Sequence, residues 1–106
     1  MIANNSGLNC ICGDEKAISY FNEKEFDVSF TMGVMDHLTE ESFQLALGYL
    51  YDVTKKVIFC LETNETPAAH YYPHDYENLG FQRIKDFPQI GGDGATYTLW
   101  RSLCLR

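Results

Sequence analysis

FDVSFTMGVMDHL, residues 26–38, and VIFCL, residues 57–61, decide the fold of this chain. In the first, Phe26, Val28, Phe30 and Met32 alternate with Asp27, Ser29 and Thr31. That is the period-two pattern of a strand with one face less buried than the other. The second is a run of five apolar residues, as in a strand covered on both faces. Between them lies the clearest helix signal, Glu40 to Thr54. Thr39 is placed to cap it, because its hydroxyl can satisfy a free amide of the first turn. Glu40 and Glu41 sit where the helix dipole favours negative charge. Leu38 can staple to Phe43 across the cap. Phe43, Ala46, Leu47 and Leu50 recur at helical spacing and form the buried stripe. Lys55 and Lys56 close the helix as cations should.

Working outward, Leu8 to Cys12 reads as a short strand ended by Gly13-Asp14-Glu15, with a short helix at Lys16 to Phe21. Downstream, Glu62 to Tyr72 is a loop. Pro73 to Leu79 reads as a short helix, with Pro in its first turn and Gly80 as the left-handed residue after it. Phe81 to Phe87 and Ala95 to Leu103 read as strands joined through the turn cluster Gly91-Gly92-Asp93-Gly94, an antiparallel hairpin. Strands alternating with helices give an α/β class in one domain, residues 1–106.

Composition narrows the function. The 106 residues carry 15 acids against 8 Lys and Arg, a formal charge of -7. The basic residues are scattered, whereas a phosphate backbone needs them clustered, so nucleic acid is excluded as a partner. Residues 13–41 hold eight acids and two lysines, which a solvated face explains. No apolar run approaches the ~20 residues of a membrane span, and the first residues lack the basic and apolar regions of a secretion signal. Four cysteines without such a signal point to a reduced, cytoplasmic protein. Cys60 and Cys104 lie in apolar runs and act as small hydrophobes. Cys10 and Cys12 are spaced too closely for a usual zinc knuckle.

Few residues carry a recognisable chemistry. Gly92-Asp93-Gly94 lacks the Lys, the Ser or Thr and the helix that a phosphate loop needs, so a hairpin turn explains it. His70 and His74 are four apart with Asp75 beside them, a spacing that suits zinc on a helix, but Pro73 interrupts the face and no third ligand stands at a telling distance. No metal site is therefore expected. No Gly-x-Ser-x-Gly elbow or Cys–His pairing is present. YENLGF, residues 76–81, has a faint look of the helix–strand junction of acetyltransferases, without their basic Gly-rich loop upstream.

The stretch from Gly13 to Asn64 resembles class I S-adenosylmethionine-dependent methyltransferases. In that family an acid after the third strand contacts adenine, matched by Asp14 in Gly13-Asp14-Glu15. The next strand commonly begins Phe-Asp-Val, matched by Phe26-Asp27-Val28. It ends in a segment such as Gly-Val-Leu-x-His-Ile, matched by Gly33-Val34-Met35-Asp36-His37-Leu38. Paired basic residues before an apolar strand are matched by Lys55-Lys56 and VIFCL, and LGFQRI and TYTLWR fit the last two strands. The resemblance implies a partial Rossmann-like sheet with a C-terminal antiparallel hairpin. It implies S-adenosylmethionine as cofactor, held at Asp14, Glu15, Met32, Gly33 and His37, and a small-molecule methyl acceptor. His37 or Glu62 would assist proton removal. Ligands of open α/β sheets do lie beyond the carboxyl ends of strands, where these residues fall.

The resemblance starts at the family's third strand. The family's first strand, its glycine-rich loop and the second strand with its ribose-binding acid have no counterpart here. The expectation is therefore a truncated or degenerate form, or else a noncatalytic interaction module. The strand at Phe26 to Met32 loses its neighbour and becomes an open edge. Leu8 to Cys12 also loses its neighbour, and it is expected either to move over that edge or to pair between chains, in a homodimer or with another chain along the edge.

Overall fold

A computed structural model describes residues 15–88 and 94–105 of the chain. A 3-10 helix at Glu15–Tyr20 is followed by β1 (Phe26–Met32), a second 3-10 helix at Met35–His37, α1 (Glu40–Val53), β2 (Thr54–Glu62), β3 (Gln82–Pro88) and β4 (Thr96–Arg101). The fold is mixed α/β, with the four strands in one mixed sheet in the order β1-β2-β4-β3. β1 and β2 are parallel, Ser29 opposite Ile58 and Met32 opposite Leu61. Parallel neighbours need a crossover, and α1 provides it. β4 runs antiparallel to both β2 and β3, so the expected hairpin of the last two strands is present. Cys60 opposite Trp100 marks the seam where that hairpin joins the β1-α1-β2 unit.

The helix forms where its cap chemistry places it. Thr39 Oγ1 accepts from the Ser42 amide at 3.3 Å, and Thr39 O accepts the first helical bond, from Phe43 N, at 2.8 Å. Phe43, Ala46, Leu47 and Leu50 are buried with Ile58, Cys60, Tyr76, Phe81 and Trp100 in one core, with Leu38 packed against it. Each large side chain sealed there contributes about 1.5–3 kcal/mol before the entropy of ordering it is subtracted. The final turn of α1 holds no basic residue: Lys55 and Lys56 belong to β2 instead. Thr54 is already extended (φ -103°, ψ 129°), so the chain passes from helix to strand without a basic cap.

Two strand expectations change. Ile58 and Cys60 are fully buried, but Val57, Phe59 and Leu61 on the opposite face are only half-buried. α1 covers one side of the sheet, and among the described residues no second layer covers the other. β1 is the reverse of the usual alternation. Ser29 and Thr31 turn inward, where the Ser29 and Thr54 hydroxyls share a 2.6 Å hydrogen bond, while Phe30 (73 % exposed) and Met32 (62 % exposed) face outward with Val28.

Smaller corrections follow from local geometry. The segment at Lys16 to Phe21 winds as the 3-10 helix Glu15–Tyr20. Pro73 to Leu79 forms turns, not a helix. The Phe81 amide donates to Tyr76 O (3.0 Å) and the Gly80 amide to Glu77 O (3.1 Å), with Gly80 at φ +89°. This is the helix-stop pattern of a left-handed glycine, closing a single turn. Cys60 is buried as expected, but Cys104 lies past β4 and is exposed. The strand at Leu8 to Cys12 and most of the Gly91–Gly94 turn lie outside the described residues. Among the described residues no helix is long and apolar enough to cross a membrane.

Candidate functional site at the strand ends

The parallel pair β1 and β2 ends at Met32 and Glu62, and the turn beyond β1 is tied through Asp36 to Glu62 and to Tyr72 in the loop beyond β2. Gly33 makes the first turn possible. It sits at φ +64°, a left-handed conformation that costs a side-chain-bearing residue about 1 kcal/mol or more. Its amide still donates to Leu61 O at 3.0 Å, and the position of a Cβ there is open, with nothing within 4 Å. The backbone is therefore approachable from outside at this point. Met35–His37 then form one 3-10 turn that leads to the Thr39 cap.

Glu62 ties these pieces together. Its Oε2 accepts from Thr31 Oγ1 at 2.6 Å and its Oε1 from the Asp36 amide at 3.2 Å. Both Glu62 (1 % exposed) and Asp36 (0 %) are buried. Burial pushes the Glu62 carboxyl up from its ordinary value to about 7, against the pull of the Thr31 hydroxyl and with the push of the Asp36 charge. A group that exchanges its proton near neutrality has the chemistry of a general base. Its burial keeps it from a bound acceptor in this arrangement, so the role it performs here is to hold the turn.

The loop after β2 returns to the same turn. Thr63 Oγ1 donates to Thr96 O at 2.7 Å, and the Tyr72 amide donates to Asp36 O at 2.7 Å. His74, nine-tenths and more buried, stacks on Phe43 with ring centres 3.9 Å apart. Its Nε2 donates to Met35 O at 2.8 Å, its Nδ1 lies 3.0 Å from Glu40 Oε1, and its amide donates to Asn64 Oδ1 at 3.1 Å. On the outside, His37 stacks against His70 (5.1 Å between centres) and meets Tyr71 at a tilt (4.6 Å), and its Nε2 lies 3.5 Å from Asp36 Oδ1.

Of the residues singled out in the sequence, Met32, Gly33 and His37 come together at this end of the sheet. Glu15 begins the first 3-10 helix, and Asp14 lies outside the described residues. His70 and His74 do not share a site: His70 stacks outside while His74 is sealed inside. Among the described residues no group of His, Cys, Asp and Glu could hold a metal ion. Sequence reasoning missed the Thr31–Glu62–Asp36 tie. Its only signal was Thr31 and Glu62 lying one residue from, and at, the ends of strands later found in register. A separate concavity of about 400 Å³ opens at the other end of the sheet, between Phe21, Glu23, Tyr49 and Asp52.

No protein-family model matches the chain. No curated protein matches it either. Among solved structures, it is similar to the Burkholderia thailandensis 1,6-didemethyltoxoflavin-N1-methyltransferase, crystallised with 1,6-didemethyltoxoflavin and S-adenosylhomocysteine. The TM-score is 0.59 at 11 % identity, over 84 % of this chain and 48 % of that one. The chain thus spans about half the length of the methyltransferase it matches, and what the two share is a fold.

Proposed function

We propose that this chain is the later half of an S-adenosylmethionine-dependent methyltransferase fold and that its activity is methyl transfer to a small-molecule acceptor. The observation that carries the reading is the pair of parallel strand ends at Met32 and Glu62, with the approachable left-handed Gly33 between β1 and the turn. Ligands of open α/β sheets lie beyond such ends. The fold likeness to a methyltransferase crystallised with S-adenosylhomocysteine supports it.

Part of the cofactor would be held by residues of this chain. The backbone at Met32 and Gly33 would face the methionine portion, and Asp14 with Glu15 would accept the adenine amino group. The cofactor supplies an electrophilic methyl group when bound. His37, at the rim and partly exposed, would hold the acceptor and take its proton. The rest of the cofactor would need a glycine-rich loop, and residues 1–25 contain no Gly-x-Gly pattern.

The test is calorimetric titration of the chain with S-adenosylhomocysteine. Binding at micromolar strength, roughly -8 kcal/mol, supports the reading. No heat at millimolar ligand removes it. The His37→Ala variant in an active preparation should lose turnover; unchanged turnover removes that residue's role. The second reading, a noncatalytic interaction module, is favoured by one observation, the outward row of Val28, Phe30 and Met32 on an edge strand.

A further inference from the structure

β1 ends the sheet, and among the described residues it has a hydrogen-bonded neighbour on one side only. The Gly33 amide points to β2, since it donates to Leu61 O. Backbone groups alternate in direction along a strand, so those of Val28, Phe30 and Met32 point to the open side. The same three residues carry the outward apolar side chains, with Phe26 continuing the row. An unprotected edge of this kind is a template for another strand. It holds a single charge, Asp27, and lacks the Lys or Pro that commonly blunts an edge, and the register irregularity between Phe26 and Val28 puts its extra residue on β2, not on β1.

The pattern of β1 also says which strand fits. Phe26, Val28, Phe30 and Met32 alternate with Asp27, Ser29 and Thr31, and this order of apolar and polar is the same read in either direction about Ser29. An antiparallel pair related by a two-fold axis at Ser29 sets Val28 against Phe30 of the second copy and Phe26 against Met32 of the second copy. Those are the residues whose backbone groups face outward, so they become the hydrogen-bonded pairs, and Ser29 meets its own equivalent in a non-hydrogen-bonded pair. Asp27 falls opposite Thr31 of the second copy, and no like charges meet. The apolar side chains of both copies lie on one face, where aromatic and aliphatic cross-strand pairs are stabilising. A two-fold contact of one patch with itself is the commonest way that soluble chains associate.

We propose that the partner of the β1 edge is a second copy of this chain, paired antiparallel about Ser29 to make one eight-stranded sheet. The proposal gives a partner to the interaction reading above and is the alternative to the cofactor reading, because both use the Met32 backbone. Sedimentation of the full chain over rising concentration tests it. The expected result is a concentration-dependent doubling of mass. The Phe30→Lys variant, whose change sits on an exposed side chain, should keep its circular dichroism and weaken association at least about tenfold, as edge lysines do. With Cys10, Cys12 and Cys104 replaced by Ser, the Ser29→Cys variant should form a covalent dimer under mild oxidation that the same chain with Ser29 retained does not. The non-hydrogen-bonded pair brings the two Cα atoms to about 4.5 Å, within disulfide reach. A monomer at every concentration overturns the proposal. So does a monomer whose Val28, Phe30 and Met32 amides resist hydrogen exchange, which would mean the chain covers its own edge. A dimer that survives Phe30→Lys, or that gives no Ser29→Cys crosslink, pairs elsewhere and overturns it as well.

Discussion

Replacing Glu62 by Gln should make the protein more stable in alkali than it is now. The folded protein holds the Glu62 carboxyl at about 7, whereas in the unfolded chain it titrates near 4.5. The folded state therefore keeps a proton that the unfolded chain releases between those values. The contribution to stability is full below about pH 4.5 and is lost as pH rises through about 7. At about 1.4 kcal/mol per pKa unit, the loss by pH 8 is roughly 3 kcal/mol, a large share of what a domain this size possesses. Glu40 acts in the opposite sense. Its hydrogen bonds to Gln44 and His74 hold its carboxyl below the usual range, so its contribution is lost as pH falls. The difference between the parent and Glu62→Gln from pH 5 to 8 isolates Glu62. The amide of Glu62→Gln keeps the side-chain shape and can still meet Thr31 and the Asp36 amide. Urea unfolding at pH 5, 6, 7 and 8 should show the parent losing about 2.5 kcal/mol more than Glu62→Gln across the range. Parallel curves for the two proteins would refute the reasoning, because the pH dependence would then arise elsewhere.

Two further substitutions test other parts of the fold. Tyr76→Phe should raise stability by about 1 kcal/mol in the same urea assay, because the Tyr76 hydroxyl is buried with no hydrogen-bond partner among the described residues while its ring stacks on Trp100. A loss of stability would show that the hydroxyl has a partner. Thr39→Ala should cost about 1 kcal/mol by freeing the Ser42 amide, and Thr39→Ser should restore most of it; equal losses in both variants would make the cap bond irrelevant.

The order of elements from Phe26 to Leu61 was legible because each rests on local rules. Alternation marked β1 to the residue, and Thr39 with the stripe from Phe43 to Leu50 marked α1. The hairpin of β3 and β4 followed from the glycine turn between two apolar runs. What alternation could not say was which side of β1 meets the core. Ser29 and Thr31 turn inward because Thr54 and Glu62 wait there with hydroxyl and carboxylate, and that depends on strand register rather than on spacing. The same register hid the Glu62 tie. Lys55 and Lys56 misled because a helix-ending cation pair and a strand-starting one look alike when no glycine separates the elements. Pro73 to Leu79 was read one level too regular: the glycine stop was real, but only a single turn precedes it. His74 gave no sign in sequence of the shelf it finds on Phe43.

The seam at Cys60 and Trp100 has a consequence for how the chain acquires its fold. The β1-α1-β2 unit and the β3–β4 hairpin each close through contacts between neighbouring parts of the chain, whereas the β2–β4 ladder joins partners far apart in sequence. Closing a long loop is entropically the slow step. Conservative truncations at Trp100 should therefore act chiefly on the unfolding rate, and those at Leu47 chiefly on the folding rate. The seam is where the two pieces of the molecule meet last and part first.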